Sequence, residues 1–266
     1  MGKELLYKSH WLRFLGLHCL AFVLVASWLF PPTRVYWDML DVATFRFLNE
    51  SIESSPITQL FWAIANVKLV DVFGAIYIAS FFLLYVFDDK EKISERLAQF
   101  LYLCIWGEIG ILCSKEAAIW LVKQVDLVRE SPSVVLYCPV LLSQVAPWLS
   151  VKDFSRCSFP SDHAMILFQW ASFVWFFCGT RRGIIALISA TFFSLPRLIA
   201  GAHWLTDVVV GSMSIIIVVF AWATCTPLYR YSMILLTKLT KKFTKKREPY
   251  VNNLSSNYDA RSSKNV

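Results

Sequence analysis

Long apolar runs broken by short charged segments set the frame for this chain. Several reach or approach the roughly 20 residues that cross a bilayer as a helix. Of the 266 residues, 57% are hydrophobic and 17% charged, against about 25% charged in a soluble domain. The expected fold is therefore all-α, a polytopic membrane protein with six transmembrane helices. The spans are predicted at about Leu12 to Phe30, stopped by Pro31-Pro32; a run ending near Phe87; Leu97 to Val122; Asp162 to Gly179; Ile184 to Ser194; and Leu205 to Thr224, before Pro227. No small-residue cleavage site of the A-x-A type follows the first run, so it is expected to stay as a span. Between the first two spans, Trp37, Leu40, Val42, Phe45 and Leu48 recur as one apolar helical face. Val35 to Ser55 is read as an amphipathic helix lying in the interface.

Charge orients the bundle. Lys3, Lys8 and Arg13 flank the first span, Lys90, Lys92 and Arg96 separate the second from the third, and Arg181 and Arg182 separate the fourth from the fifth. With six spans all of these fall on one side, which the positive-inside rule makes the cytoplasm, with both termini there. Much of the net charge of +7 lies in Lys238, Lys241, Lys242, Lys245, Lys246 and Arg247. This places a membrane domain at residues 1–228 and a basic, then polar, cytoplasmic tail at 229–266. The basic stretch suits anionic headgroups, and no nucleic-acid partner is expected.

The opposite side collects Lys123, Arg129, Lys152, Arg156, Ser161, His163, Arg197, His203 and Asp207. Cations kept where the rule expects few of them suggest an anionic substrate. Only four histidines occur in the chain, so two at the mouths of apolar runs stand out. His203 and Asp207 are four apart at the predicted start of the sixth helix and share a face. A carboxylate on one imidazole nitrogen sets the tautomer and frees the other nitrogen to attack. Arg197 follows Pro196, which is expected to interrupt the fifth helix, and leads across Gly201 into the sixth. Its fork suits two phosphate oxygens. Ser161 or Asp162 can cap the fourth helix, whose free N–H groups favour an anion, and His163 is placed to protonate a leaving oxygen. Arg129 and Lys123 would add charge for phosphoryl transfer. Taken singly, each has a plain alternative: a helix cap, a snorkelling cation, a histidine near the headgroups.

The seven cysteines form no CxxC and no Cys/His cluster, so no metal or other cofactor is expected. Cys138 and Cys157 share a polar-flanked segment and are candidates to pair if it faces an oxidising compartment.

These residues resemble the type 2 phosphatidic acid phosphatase superfamily. Its third motif is matched by Arg197, His203 and Asp207, with Pro196 in place of serine. Its second is matched by Pro160, Ser161 and His163, with Asp162 in place of glycine. Its first is matched loosely: Lys123 and Arg129 stand one residue too close, and Pro132 is three past the arginine. Within the superfamily, Arg129 to Pro132, Lys152 to Pro160, Pro196 to Met213 and the Phe61-Trp62 to Asp71 stretch look like the lipid A 1-diphosphate synthases. The resemblance implies His203 as a nucleophile forming phosphohistidine, Asp207 as its orienter and His163 as the leaving-group acid. Ser161, Arg197, Arg129 and Lys123, with Asp162 beside them, would hold the phosphate. It implies membrane lipids as partners, with undecaprenyl diphosphate as donor and lipid A as acceptor, at the periplasmic face of a bacterial inner membrane. Two other readings remain at this point: an undecaprenyl-diphosphate phosphatase, which shares the Ser-Phe-Pro-Ser-Asp-His string, and a non-enzymatic membrane protein or transporter. Lys68, Asp71, Glu108, Lys115 and Glu116 are the ionisable exceptions within the apolar runs.

Overall fold

The computed structural model describes residues 2–126, 128–137 and 140–245. Among them the chain is all-helical, with one isolated bridge between Val67 and Val151. The elements are α1 (Gly2–Leu29), α2 (Pro31–Glu50), α3 (Pro56–Ala65), α4 (Lys68–Phe87), α5 (Ile93–Val125), the single turns α6 (Pro132–Val135) and α7 (Leu142–Val145), α8 (Asp162–Cys178), α9 (Thr180–Ile199), a π-helical turn (Asp207–Ser212) running into α10 (Met213–Cys225), and α11 (Pro227–Lys245).

Five helices are long and apolar enough to cross a membrane: His10–Leu29, Lys68–Phe87, Lys90–Gln124, Thr180–Ile199 and Asp207–Cys225. The remaining expected span, the fourth along the chain, is α8, whose 17 residues make a helix of about 25 Å. It is the innermost helix, burying Met165, Leu167, Trp170, Phe173 and Val174 in the main core with Phe82 and Tyr102. It still reaches from one end of the bundle to the other. The Ser161 N–H at its start donates to the Asp207 carbonyl (3.2 Å), and the Phe177 carbonyl near its end accepts from the Tyr85 hydroxyl (3.1 Å).

The two ends are built differently. At one, Arg182 and Arg96 pair with Asp88, Arg96 also reaches Asp89, and Thr240 of α11 donates to the Ser94 carbonyl. The segment after Pro227, expected only as a tail, is thus a helix packed on α5. At the other end, the connection from α5 to α8 is tied down by its own backbone. Ser131 N–H donates to Ser155 O (2.9 Å) and Ser158 N–H to Arg129 O (2.8 Å), so its two arms clasp each other. Asn49 of α2 bonds both Val140 and the Ile199 carbonyl, which pins this connection over the end of α9. Buried backbone groups need such partners, so the segment is held as firmly as a helix would be.

Three expectations change. Pro196 does not end its helix: α9 continues to Ile199 and Ala200 N–H still reaches Pro196 O (3.0 Å). Proline removes only its own donor and crowds the turn before it, which a helix near its end tolerates. The turn comes at Gly201, whose φ of +75° favours glycine and whose added Cβ would meet Phe45 and Ser133 within about 3 Å. Pro31 both closes α1 and opens α2 at its first position, where proline is pre-set for a helix. Finally, the buried face of α2 is Asp41, Phe45 and Asn49. Of the expected apolar face only Phe45 is buried, and Leu40 is exposed. The Cys138 side of the suggested pair with Cys157 lies outside the described residues, as do Lys246, Arg247 and the polar tail.

Candidate active site

His203 stands in the turn ahead of α10, not on the helix face that its spacing suggests. Trp204 N–H donates to Asp207 Oδ2 (2.8 Å) and Asp207 N–H to Trp204 O (3.2 Å), half of a capping box. This folds the helix start so that Asp207 Oδ2 lies 3.5 Å from His203 Nδ1. A closer partner is the Ser158 carbonyl, 2.9 Å from the same nitrogen. A carbonyl only accepts, so Nδ1 carries the proton and Nε2 holds the free lone pair. Ser158 reaches that position because its own N–H is clasped to the Arg129 carbonyl. Its hydroxyl also donates there, at 3.1 Å.

Arg129 lies behind Asp207. Its Nη1 donates to Asp207 Oδ1 (2.5 Å) and to Thr206 Oγ1 (2.7 Å), and its Nη2 to Asp41 Oδ2 (2.5 Å). Its plane sits over the rings of Trp28 and Trp204, at 5.5 and 5.2 Å from their centroids. Asp41 also accepts from the N–H and hydroxyl of Thr206. Asp41 and Asp207 are 1% and 0% exposed, so this is a buried carboxylate–guanidinium–carboxylate array. Burial pushes the Asp41 carboxyl up from its ordinary value, and the Thr206 hydrogen bonds and the Arg129 charge pull against that. Buried charges of this kind must be paired and fully hydrogen-bonded to persist.

The second histidine belongs to a second array. His163, in the first turn of α8, donates from Nε2 to the Phe193 carbonyl of α9 (3.0 Å), and its Nδ1 is 3.7 Å from Asp71 Oδ1. Asp71 Oδ2 accepts from Arg197 Nη2 (2.6 Å), and Arg197 Nη1 donates to both the carbonyl and side-chain oxygen of Asn66. Three of the five guanidinium N–H groups are so used, leaving Nε–H and one Nη2–H without a partner among the described residues. The charges of Arg197, Asp71 and His203 all act on His163, so the two arrays lie within electrostatic reach of each other.

Ser161 caps α8 through a long bond from Ala164 N–H, and its backbone bonds to Asp207 and Ser212 join the second motif to the third. Gly211 makes that junction possible: a Cβ there would stand 2.8 Å from Pro160 Cβ. Two expected residues lie apart from these arrays. Asp162 is exposed and accepts from Ser114 of α5 (2.5 Å), and Lys123 is exposed on the last turn of α5. Cys157 is close enough for Asp207 and Asp162 to act on it. Burial first, and then those two carboxylates, push its thiol up, so it is a weak nucleophile at neutral pH.

Asp41, Asn66, Asp71, Ser158 and Thr206 were not singled out as site residues in the sequence. Asp71 carries a signal as an ionisable residue in an apolar run. A backbone carbonyl such as Ser158 carries none.

The PAP2 superfamily model matches residues 129–231, which hold His163, Arg197, His203 and Asp207. The chain is 32% identical over 214 residues to the lipid A 1-diphosphate synthase of Escherichia coli (strain K12), covering 80% of this chain and 86% of that protein. A crystal structure of Aquifex aeolicus LpxE aligns with 68% of this chain and 93% of that one, at 19% identity and a TM-score of 0.43. The motif residues, the matched span and the extent of the identity together show that the chain belongs to the PAP2 superfamily.

Proposed function

We propose that this chain is a membrane phosphotransferase that moves a phosphate from undecaprenyl diphosphate to the 1-phosphate of lipid A. The observation that carries the reading is the tautomer of His203, with Nδ1–H held by Ser158 O and Asp207 behind it, so that the Nε2 lone pair is free to attack phosphorus. The N–P bond forms as the bond to the carrier-lipid phosphate breaks, and the positive imidazole is stabilised by Asp207. Arg197, with two unused N–H groups, and the N-terminus of α8 at Ser161 receive the phosphate oxygens. Arg129 balances Asp207 from behind. His163 is the proton donor. Lys123 and Asp162, outside the arrays, contribute long-range charge at most.

The relative's name supplies the acceptor, and the resemblance supplies the donor. Six membrane crossings, counting α8, bring every segment of the site to one end. Both termini are then on the cytoplasmic side of the inner membrane, the site on the periplasmic side, and α2 along that interface. A substrate whose tail stays in the bilayer can present its diphosphate there without leaving the membrane.

The test is to incubate purified protein with undecaprenyl diphosphate labelled in its terminal phosphate, with and without lipid A. Label entering lipid A is expected. Label appearing only as free phosphate, with lipid A present, makes the enzyme a carrier-lipid phosphatase instead. The His203→Ala variant is expected to lose at least about a thousandfold in rate and to form no acid-labile phosphoenzyme. Full activity in that variant removes the nucleophile assignment.

A further inference from the structure

Asp71 belongs to none of the family motifs and lies outside residues 129–231. It sits in the first turn of α4 and reaches both functional side chains of the second array: Arg197 at 2.6 Å and His163 at 3.7 Å. Its side chain is 34% exposed, unlike Asp41 and Asp207. With His163, Gly74, Ile166 and Phe193 it lines a cavity of about 150 Å³, room for several water molecules or a substrate oxygen. This carboxylate therefore faces open space beside His163.

The bonding of His163 says which of its atoms is available. Nε2 faces the Phe193 carbonyl and must donate to it. The proton that His163 can give away is then on Nδ1, the nitrogen that faces Asp71. At 3.7 Å the pair is too long for a hydrogen bond, so Nδ1–H is not consumed by the carboxylate. The carboxylate still stabilises an imidazolium by charge at that distance, and it offsets the Arg197 cation on its other oxygen.

We infer that Asp71 is a positioning residue for the leaving-group step. It offsets the charge of Arg197 and keeps His163 protonated at Nδ1 until a leaving oxygen takes that proton. His203 Nε2 gives its lone pair to phosphorus, the P–O bond to the leaving group breaks, and the Nδ1 proton passes to the departing oxygen. In the second half the acceptor oxygen attacks, the N–P electron pair returns to Nε2, and His163 is reprotonated at Nδ1 by the attacking water. Where the acceptor is an ionised phosphate, that proton comes from solvent through the cavity. The inference rests on the proposed role of His163 as the acid.

The test is a double-mutant cycle in the purified full-length enzyme, with undecaprenyl diphosphate as donor, lipid A as acceptor, and kcat and KM for the donor measured separately. His163→Ala should lower kcat at least about a hundredfold, and Asp71→Asn by about ten- to a hundredfold. In Asp71→Asn, KM should stay level or fall, because a carboxylate that competes with the substrate phosphate for Arg197 has lost its charge. The double variant should be within about threefold of His163→Ala, because Asp71 acts through His163. Asp71→Glu, which keeps the charge, should recover most of kcat. Wild-type kcat in His163→Ala, or no turnover by the parent enzyme, overturns the acid reading and this inference together. An impaired His163→Ala beside a fully active Asp71→Asn, or multiplicative losses in the double variant, overturns the inference alone. If Asp71→Asn has no cooperative thermal transition, the cycle is run with Asp71→Ser; failure of both to fold makes Asp71 the structural counter-charge of buried Arg197 and overturns the inference.

Discussion

Each arginine of the site is held by a carboxylate from the part of the chain that precedes the family-matched segment. Arg129 is gripped by Asp41 of α2, and Arg197 by Asp71 of α4. The cationic surface read from the sequence is therefore offset from within, and its use for an anion depends on where the remaining N–H groups point. This makes Asp41 a stability residue first. Removing one partner of a buried pair leaves the other charge uncompensated, which costs about 3 to 5 kcal/mol. Asp41→Ala is accordingly expected to lower the thermal unfolding midpoint in detergent, and an unchanged midpoint would show that the array carries no stability. Asp41→Asn, which can still accept from Thr206 N–H, should lose less. The histidines, Arg197 and Asp207 were legible in the sequence because each motif is a local string with its own chemistry. Asp41 was not, because its partners lie 88 and 165 residues away and only the folded chain joins them.

The helices were legible for a different reason. A run of about 20 apolar residues has few alternatives in a membrane, and five of the expected spans appear as helices long and apolar enough to cross, with the remaining one as the shorter α8. What composition does not encode is the join between elements. The π-helical turn from Asp207 to Ser212 widens the backbone where Phe159 and Pro160 press against it, and such turns are frequent at functional sites. Trp28 stacks on Phe159 at 4.4 Å from the other side, so the segment ahead of Ser161 is clamped between α1 and this turn. A methyl group at Gly211 has no room, since the nearest atoms belong to the ring and backbone of Pro160 and to the Phe159 ring, which Trp28 holds by stacking. Gly211→Ala should therefore push the third motif away from the second. The expected loss is about 1 to 3 kcal/mol of stability with a larger proportional loss of activity. Thermal unfolding and turnover measured on one preparation check this; equal activity would mean that the two motifs need not be in register. The helical character of α11 was missed because a stretch rich in lysine reads as a solvated tail until its inner face is seen against α5.

At the scale of the molecule, the two ends of the bundle do different work. One end is laced by exposed ion pairs among Asp88, Asp89, Arg96 and Arg182, contacts individually worth little. The other holds the buried arrays, and the connections there are bonded to one another through backbone groups. Lipid chains impose this division: polar groups within the apolar thickness must be paired, while those at a surface can use water. The proposed orientation adds a sense to it, with the laced end in the cytoplasm, where Lys90, Lys92, Arg181 and Arg182 gather, and the site outside. Charge alone could be misread, because Lys152 and Arg156 are exposed on the site's own side. A cysteine placed at each end decides. Lys152→Cys should gain label from a thiol reagent that cannot cross the inner membrane, applied to spheroplasts, over the label taken by the parent chain. Glu91→Cys should gain label only after the membrane is opened. The reverse pattern would invert the orientation and put the site in the cytoplasm, and equal labelling of both without opening would mean that the bundle does not separate its ends across the membrane. With α8 crossing, as proposed, the two positions are separated by the full membrane.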